Sequence, residues 1–219
     1  MWEVSPWQLF LLGGPLMWPI LVCSVVAAAI VIEKIVFFNS INENMSELKD
    51  RIFAAIRKND IKSALVVCDR SNSPTAKILK AGLLQYGRGK REIMIAMEEA
   101  ARFEVPCLEE KLPALSAVAG IAPLLGLLGT VTGMCAAFHM IQVRAAAMNP
   151  VMPADIAGGI WEALIATAAG LAVAIPAFLA HNFFVSYQNR YVLQMEKAAM
   201  DVSNFLEHIV EPGNSEDKG

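Results

Sequence analysis

The most informative feature of the chain is the spacing of its charged residues. No Asp, Glu, Lys or Arg lies in residues 4–32, 112–143 or 163–189. A helix needs roughly 20 apolar residues to cross a bilayer, and each of these stretches is longer. Because lipid cannot satisfy the hydrogen bonds of an open backbone, only helices fit such segments. The pattern predicts an all-α integral membrane protein with three transmembrane helices and long cytoplasmic helical extensions.

The segment between the first two spans has a different pattern. Residues 33–111 alternate charged and apolar side chains, with the apolar ones at helical spacing. Ser73-Pro74 is typical of a helix start, and Gly87–Gly89 of a break before another helix. We expect the helix after that break to continue into the second span, bent rather than ended at Pro106 and Pro113.

Lysine and arginine near the membrane ends set the orientation of the spans. Seven lie within residues 33–52, 95–112 and 187–206, against Arg144 alone between the second and third spans. The N-terminus is therefore expected outside and the C-terminus in the cytoplasm. A secretory signal peptide has the opposite charge order around its apolar stretch, so the first span is expected to stay as an anchor. The predicted segments are a periplasmic N-terminus (1–8), span one (9–32), a cytoplasmic helical domain (33–111), span two (112–143), a periplasmic loop (144–155), span three (156–187), a cytoplasmic C-terminal helix (188–210) and a disordered tail (211–219).

Composition agrees with a membrane protein. The chain is 56% apolar and 18% charged, with a mean hydropathy of +0.47, whereas soluble domains average about 45–50% and about 25%. Of the charged residues, 14 basic and 12 acidic ones lie in segment 33–111, which is therefore expected to face water. The net charge of −3 gives no basic surplus for a nucleic-acid partner. The four cysteines form no C-x-x-C pair, so we expect no metal site and no cofactor.

Spans two and three each carry one helix face made of small residues around a single threonine. Such faces are the usual means by which membrane helices approach closely. Thr130 and Thr167 occupy matching central positions, and they either hydrogen-bond on their own helices or orient a polar group between the helices. The two faces are Ala122, Gly126, Thr130, Gly133 and Ala137, and Ala163, Thr167, Gly170, Ala174 and Ala177.

Glu162 is the acidic residue associated with the third apolar stretch. An acid at the centre of a membrane helix costs on the order of 2.5–3.5 kcal/mol, and is therefore a functional candidate. The alternative is a wet outer edge, because the 27 uncharged residues after Glu162 are long enough to span without it. Pro176 lies mid-span, where it frees one carbonyl and permits a kink. No nucleophile–base pair, phosphate loop or paired-acid site is present in the sequence, so an enzyme is disfavoured.

At this point two runs resemble the MotA/TolQ/ExbB proton channel family. Residues 122–134 (APLLGLLGTVTGM) resemble its second-span signature, and residues 162–177 (EALIATAAGLAVAIPA) resemble its third-span signature. The resemblance covers roughly residues 9–210 and is closest to the ExbB/TolQ branch, because flagellar MotA proteins have four spans and lack a glutamate at the position of Glu162.

This resemblance implies a homo-oligomer, a pentamer, in the bacterial inner membrane. Its second and third helices line a pore that holds the single span of an ExbD/TolR-like partner, which brings a membrane Asp. The assembly couples proton motive force to a periplasm-spanning protein such as TonB or TolA. The proton-pathway residues are then Thr130, Thr167 and Glu162. A passive scaffold remains the alternative; a secondary transporter is disfavoured, because no inverted repeat is present.

Overall fold

The computed structural model describes residues 10–41, 45–58, 60–71, 73–150 and 152–210, and within these ranges every regular element is a helix. Three helices are long and apolar enough to cross a membrane, as the charge spacing predicted. The elements are α1 (Met17–Ile41), α2 (Met45–Arg57), α3 (Ile61–Arg70), α4 (Pro74–Leu83), α5 (Lys90–Glu109), α6 (Leu112–Ala146) and α7 (Pro153–Val210).

The chain forms two compact units. The membrane unit comprises Met1–Glu33 and Lys111–Phe184, and the helical unit comprises Lys34–Glu110 and Val185–Gly219. The predicted N-terminal segment 1–8 and tail 211–219 lie outside the described residues. The side of the membrane assigned to each segment stays a prediction.

The first span begins later and ends later than the predicted 9–32. Residues 10–12 form a helical turn, and α1 starts only at Met17. Gly14 separates the two with a φ of +74°, and Pro15 cannot donate a backbone hydrogen bond to a continuous helix. At the other end α1 passes Glu33 and continues to Ile41. A charged residue marks the edge of an apolar stretch, but it does not terminate a helix.

The expected continuity between the cytoplasmic helix and the second span is wrong. α5 ends at Glu109 and α6 begins at Leu112, with Lys111 in the left-handed conformation at φ 66°. Pro113 explains the break, because it has no N–H to donate to the carbonyl of Glu109 and its ring clashes with that carbonyl. Pro106, by contrast, lies inside α5. Lys111 also forms an ion pair with Glu33 of α1.

The C-terminal segment 188–210 is not a separate helix, because α7 is continuous from Pro153 to Val210. The predicted loop 144–155 is correspondingly shorter, since α6 continues to Ala146.

The helical unit confirms the predicted helical period of segment 33–111. Ser73 caps α4, its hydroxyl oxygen accepting from the N–H of Ala76 at 3.3 Å, and Pro74 occupies the first turn. Gly89 precedes α5 as expected. The predicted apolar stripes face inward, and burial raises the pKa of the Cys68 thiol to about 11. The buried core includes Ile52, Ile56, Ala64, Cys68, Ile78, Leu79, Leu83, Ile93, Met97, Val202 and Leu206.

The helical unit also contains two buried hydrogen bonds that involve side chains. Lys34 is 3% exposed, and its ammonium donates to the carbonyl of Leu108 at 3.0 Å near the end of α5. The hydroxyl of Thr75 lies 3.3 Å from the phenol oxygen of Tyr191. Burial raises the pKa of Tyr191, opposed by that hydrogen bond.

Candidate functional site in the membrane unit

The small-residue faces of α6 and α7 pack against each other within one chain. A Cβ on Gly170 would lie 2.6 Å from the carbonyl oxygen of Ala122, and one on Gly126 would lie 3.0 Å from Cα of Thr167. On Gly133 it would lie 2.9 Å from Cβ of Ala163. Real Cβ atoms essentially never come closer than 3.0 Å. The two backbones are therefore almost in direct contact along this seam, which we call the α6–α7 seam.

Other small residues complete the α6–α7 seam. Ala163 and Ala174, both predicted, are 3% and 5% exposed. Ala166, only 1% exposed, and Gly159 also lie in the seam, although they were not among the predicted positions. Their spacing from Ala163 by three or four residues, which places them on the same face of α7, was the available signal.

The two threonines have different partners. The hydroxyl of Thr167 donates across the seam to the carbonyl of Gly126 at 2.9 Å. The half-buried Thr130 donates to the carbonyl of Leu127 on its own helix at 2.6 Å. Each hydroxyl oxygen keeps lone pairs that can accept a hydrogen bond from water or from a protonated carboxyl group. A hydroxyl proton is too weakly acidic to be released at neutral pH, so these residues can orient a proton donor but cannot relay a proton as acids.

Glu162 is half-buried and lies against Gly14, the residue that precedes α1. A Cβ on Gly14 would lie 2.7 Å from the carboxylate carbon of Glu162. Gly14 was not predicted as part of a site. The paired glycines at 13 and 14 were the only signal in the sequence, and a turn before a helix accounts for such a pair equally well.

The depth of Glu162 follows from helix geometry. Gly133 packs against Ala163, the residue after Glu162, and is 21 residues along α6 from Leu112. At 1.5 Å per residue this is about 32 Å from the end marked by the Glu33–Lys111 ion pair. A hydrocarbon layer is about 30 Å thick. If that ion pair lies at one boundary, the carboxylate lies near the opposite boundary, which favours a position at the membrane edge over one at mid-membrane.

The remaining predicted position is Pro176, which lies on the exposed side of α7. The helix continues through it to Val210, and the carbonyl of Ala172, four residues earlier, has no N–H at Pro176 to accept from. A kink at this position stays a prediction. In the part of the chain that the structure describes, no group of three His, Cys, Asp or Glu side chains could hold a metal ion.

Comparisons with known proteins agree on one family. The model described as "MotA/TolQ/ExbB proton channel family" matches residues 70–197. The ExbB-like 3 biopolymer transport protein of Synechocystis is 30% identical over 186 residues, covering 84% of this chain and 88% of the relative. The Tol-Pal system protein TolQ of Haemophilus influenzae is 29% identical over 196 residues, covering 84% and 81%. Biopolymer transport protein ExbB of Xanthomonas campestris is 36% identical over 111 residues, covering 51% and 42%.

Proposed function

Because the chain belongs to the MotA/TolQ/ExbB proton channel family, we propose that it is an ExbB/TolQ-like subunit of a motor or channel driven by proton motive force. It works in the bacterial inner membrane as a homo-oligomer, with its N-terminus in the periplasm. The observation that carries the proposal is the family match over residues 70–197, a range that includes the α6–α7 seam together with Thr130 and Glu162. The proposal assigns the chain no catalytic chemistry and no cofactor of its own.

The shortage of ionisable groups in the spans supports a second subunit. Residues 112–143 and 163–189 contain no Asp, Glu, Lys or Arg, so a proton cannot cross this chain by hopping between its own acids. A single-span partner that resembles ExbD or TolR supplies the missing Asp. The output is work on a periplasm-spanning protein of the TonB or TolA kind, and hence transport or maintenance at the outer membrane.

The side chains of this chain have separate roles in the proposal. Glu162 takes up protons at the outer mouth, in keeping with the position at a membrane edge that helix geometry favours. Thr130 and Thr167 accept hydrogen bonds from the protonated partner carboxyl group or from water. Each elementary charge that crosses 100 mV releases about 2.3 kcal/mol, enough to bias a packed assembly between two arrangements.

The alternative is a passive scaffold, and the hydrogen bonds of the threonines favour it. Both hydroxyls are satisfied within the chain, at 2.6 Å and 2.9 Å, as pure packing residues are. A scaffold predicts that replacing either hydroxyl changes stability and nothing else.

The test measures proton uptake by proteoliposomes that contain the full chain with an ExbD/TolR-like single-span subunit, under an imposed membrane potential. Thr167→Val and Glu162→Gln should each lower uptake about tenfold or more, equivalent to about 1.4 kcal/mol on the transfer barrier. Thr132→Val is the matched control, because the Thr132 hydroxyl lies on the exposed side of α6 and donates to carbonyls of its own helix.

The complex must stay assembled for the comparison to be valid, so subunit ratios are measured on the same samples. Uptake that is unchanged in both Thr167→Val and Glu162→Gln would refute the proposal and favour the scaffold.

A further inference from the structure

The carboxylate of Glu162 packs against a residue that has no side chain, and a larger residue does not fit there. Gly14 has a φ of +74°, in the left-handed region that L side chains rarely adopt. A Cβ on Gly14 would lie 2.7 Å from Cδ of Glu162 and 3.1 Å from Cγ, and closer still to Oε1. Any side chain at this position therefore displaces the carboxylate.

Gly13, the residue before Gly14, also packs against α7. A Cβ on Gly13 would lie 2.9 Å from Cγ2 of Ile165, which follows Glu162 by three residues. Gly13 and Gly14 together thus cover about one turn of α7. The N–H of Met17 donates to the carbonyl of Gly14 at 3.2 Å, which ties this segment to the first turn of α1.

We infer that Gly14 is a positioning residue for Glu162, because the turn that opens α1 closes one side of the carboxylate and restricts its rotamers. The start of a helix carries partial positive charge, which favours a carboxylate beside it. A displaced carboxylate no longer has its fixed position beside Gly14 for receiving a proton. The functional part of this inference rests on the proposed role of Glu162 in proton uptake.

The first experiment measures the thermal midpoint of the purified full chain in detergent. Gly14→Ala should lower Tm only slightly more than Gly87→Ala, because the clash is with the flexible end of the Glu162 side chain, which can move at small cost. Gly87 is the matched control, because it has the same kind of backbone conformation, φ +87°, with nothing within 4 Å of its Cβ position. The excess loss should disappear in a Glu162→Ala background and shrink in Glu162→Asp, whose side chain is one methylene group shorter.

The second experiment measures how readily Glu162 reacts with a carbodiimide, by peptide mass spectrometry of the full chain in membranes. A role in fold stability alone does not change this reactivity. Gly14→Ala should raise the modification of Glu162 several-fold, because the added Cβ displaces the carboxylate from its position against Gly14. Gly120→Ala, with open space around its Cβ position, should leave it unchanged.

A loss of Tm beyond that of Gly87→Ala that persists in the Glu162→Ala background would overturn the inference. So would unchanged carbodiimide reactivity of Glu162 in Gly14→Ala. These outcomes differ from failure of the proposed function, in which Glu162→Gln retains full proton uptake while the coupling between Gly14 and Glu162 is still measured.

Discussion

Replacing Gly170 by Ala adds one methyl group where the backbones of the α6–α7 seam are in close contact. The new Cβ would lie 2.6 Å from the carbonyl oxygen of Ala122, whereas ordinary van der Waals contact begins at 3.4 Å. Neither group is the flexible end of a side chain, so the helices must separate locally by about 0.8 Å. A gap of this size removes a quarter to a half of the dispersion energy of each contact it opens. The separation also lengthens the distance between the Thr167 hydroxyl and the carbonyl oxygen of Gly126, now 2.9 Å, and so weakens their hydrogen bond.

The net cost can be bounded. Overpacking costs about 1–3 kcal/mol, while Ala in place of Gly within a helix returns about 0.5–1 kcal/mol. We expect Gly170→Ala to lose about 0–2.5 kcal/mol net, which lowers Tm by up to about 10 °C for a chain of this length. The matched control is Gly158→Ala on the same helix, where nothing lies within 4 Å of the Cβ position.

Thermal unfolding of both variants, in the same detergent, is the measurement. The control should match or exceed the Tm of the unchanged chain. If Gly170→Ala is as stable as Gly158→Ala, the backbones are not in contact at the seam, and the close-packing argument for α6 and α7 is wrong.

Two further predictions concern the helical unit. The pKa of Asp60 is lowered mainly by hydrogen bonds from Ser63, so its contribution to stability is present above the unfolded value and is lost as pH falls through the folded one. Asp60→Asn keeps the cap but does not titrate. The advantage in Tm of the unchanged chain at pH 7 should therefore shrink steadily in a pH series that falls through the lowered pKa of Asp60; an advantage that does not change with pH contradicts the assignment. Ser203 is fully buried, and its hydroxyl oxygen has no hydrogen-bond partner in the described residues. Ser203→Ala removes an unsatisfied polar group and should raise Tm by about 2–4 °C, for about 1 kcal/mol, with Ser63→Ala as the exposed control that should lower it; a Tm below that of the unchanged chain would mean that the hydroxyl is hydrogen-bonded.

The sequence predicts the helices well because the spacing of apolar and charged residues follows the helical repeat, which is a local property of the chain. Charge-free stretches located all three spans, and Ser73-Pro74 located a helix start. The errors lie where a single backbone conformation decides the outcome. Lys111 adopts a left-handed conformation ahead of Pro113, and Gly14 separates a helical turn from α1. Neither backbone conformation is visible in the spacing of apolar and charged residues.

Predicting the site was limited by distance along the chain. Thr167 and Gly126 are 41 residues apart, and their hydrogen bond depends on the register between two helices. Gly14 and Glu162 are farther apart still, and their contact depends on how the start of α1 meets α7. Spacing along one helix selects the small-residue faces, but it contains no information about which turn of one helix faces which turn of another.

Concentrating Gly and Ala between α6 and α7 leaves the bulkiest side chains on the perimeter of the membrane unit. Leu124, Phe138 and Leu179 are 62%, 68% and 64% exposed, so volume is distributed in the reverse of a water-soluble protein. The hydrophobic effect cannot hold such a pair of helices together, because lipid tails are as favourable a surrounding for a leucine side chain as the protein interior is. α6 and α7 are then held together by short-range dispersion between their backbones. Added methyl groups in the α6–α7 seam should therefore destabilise the pair, whereas substitution of one large apolar side chain by another on the perimeter should have little effect.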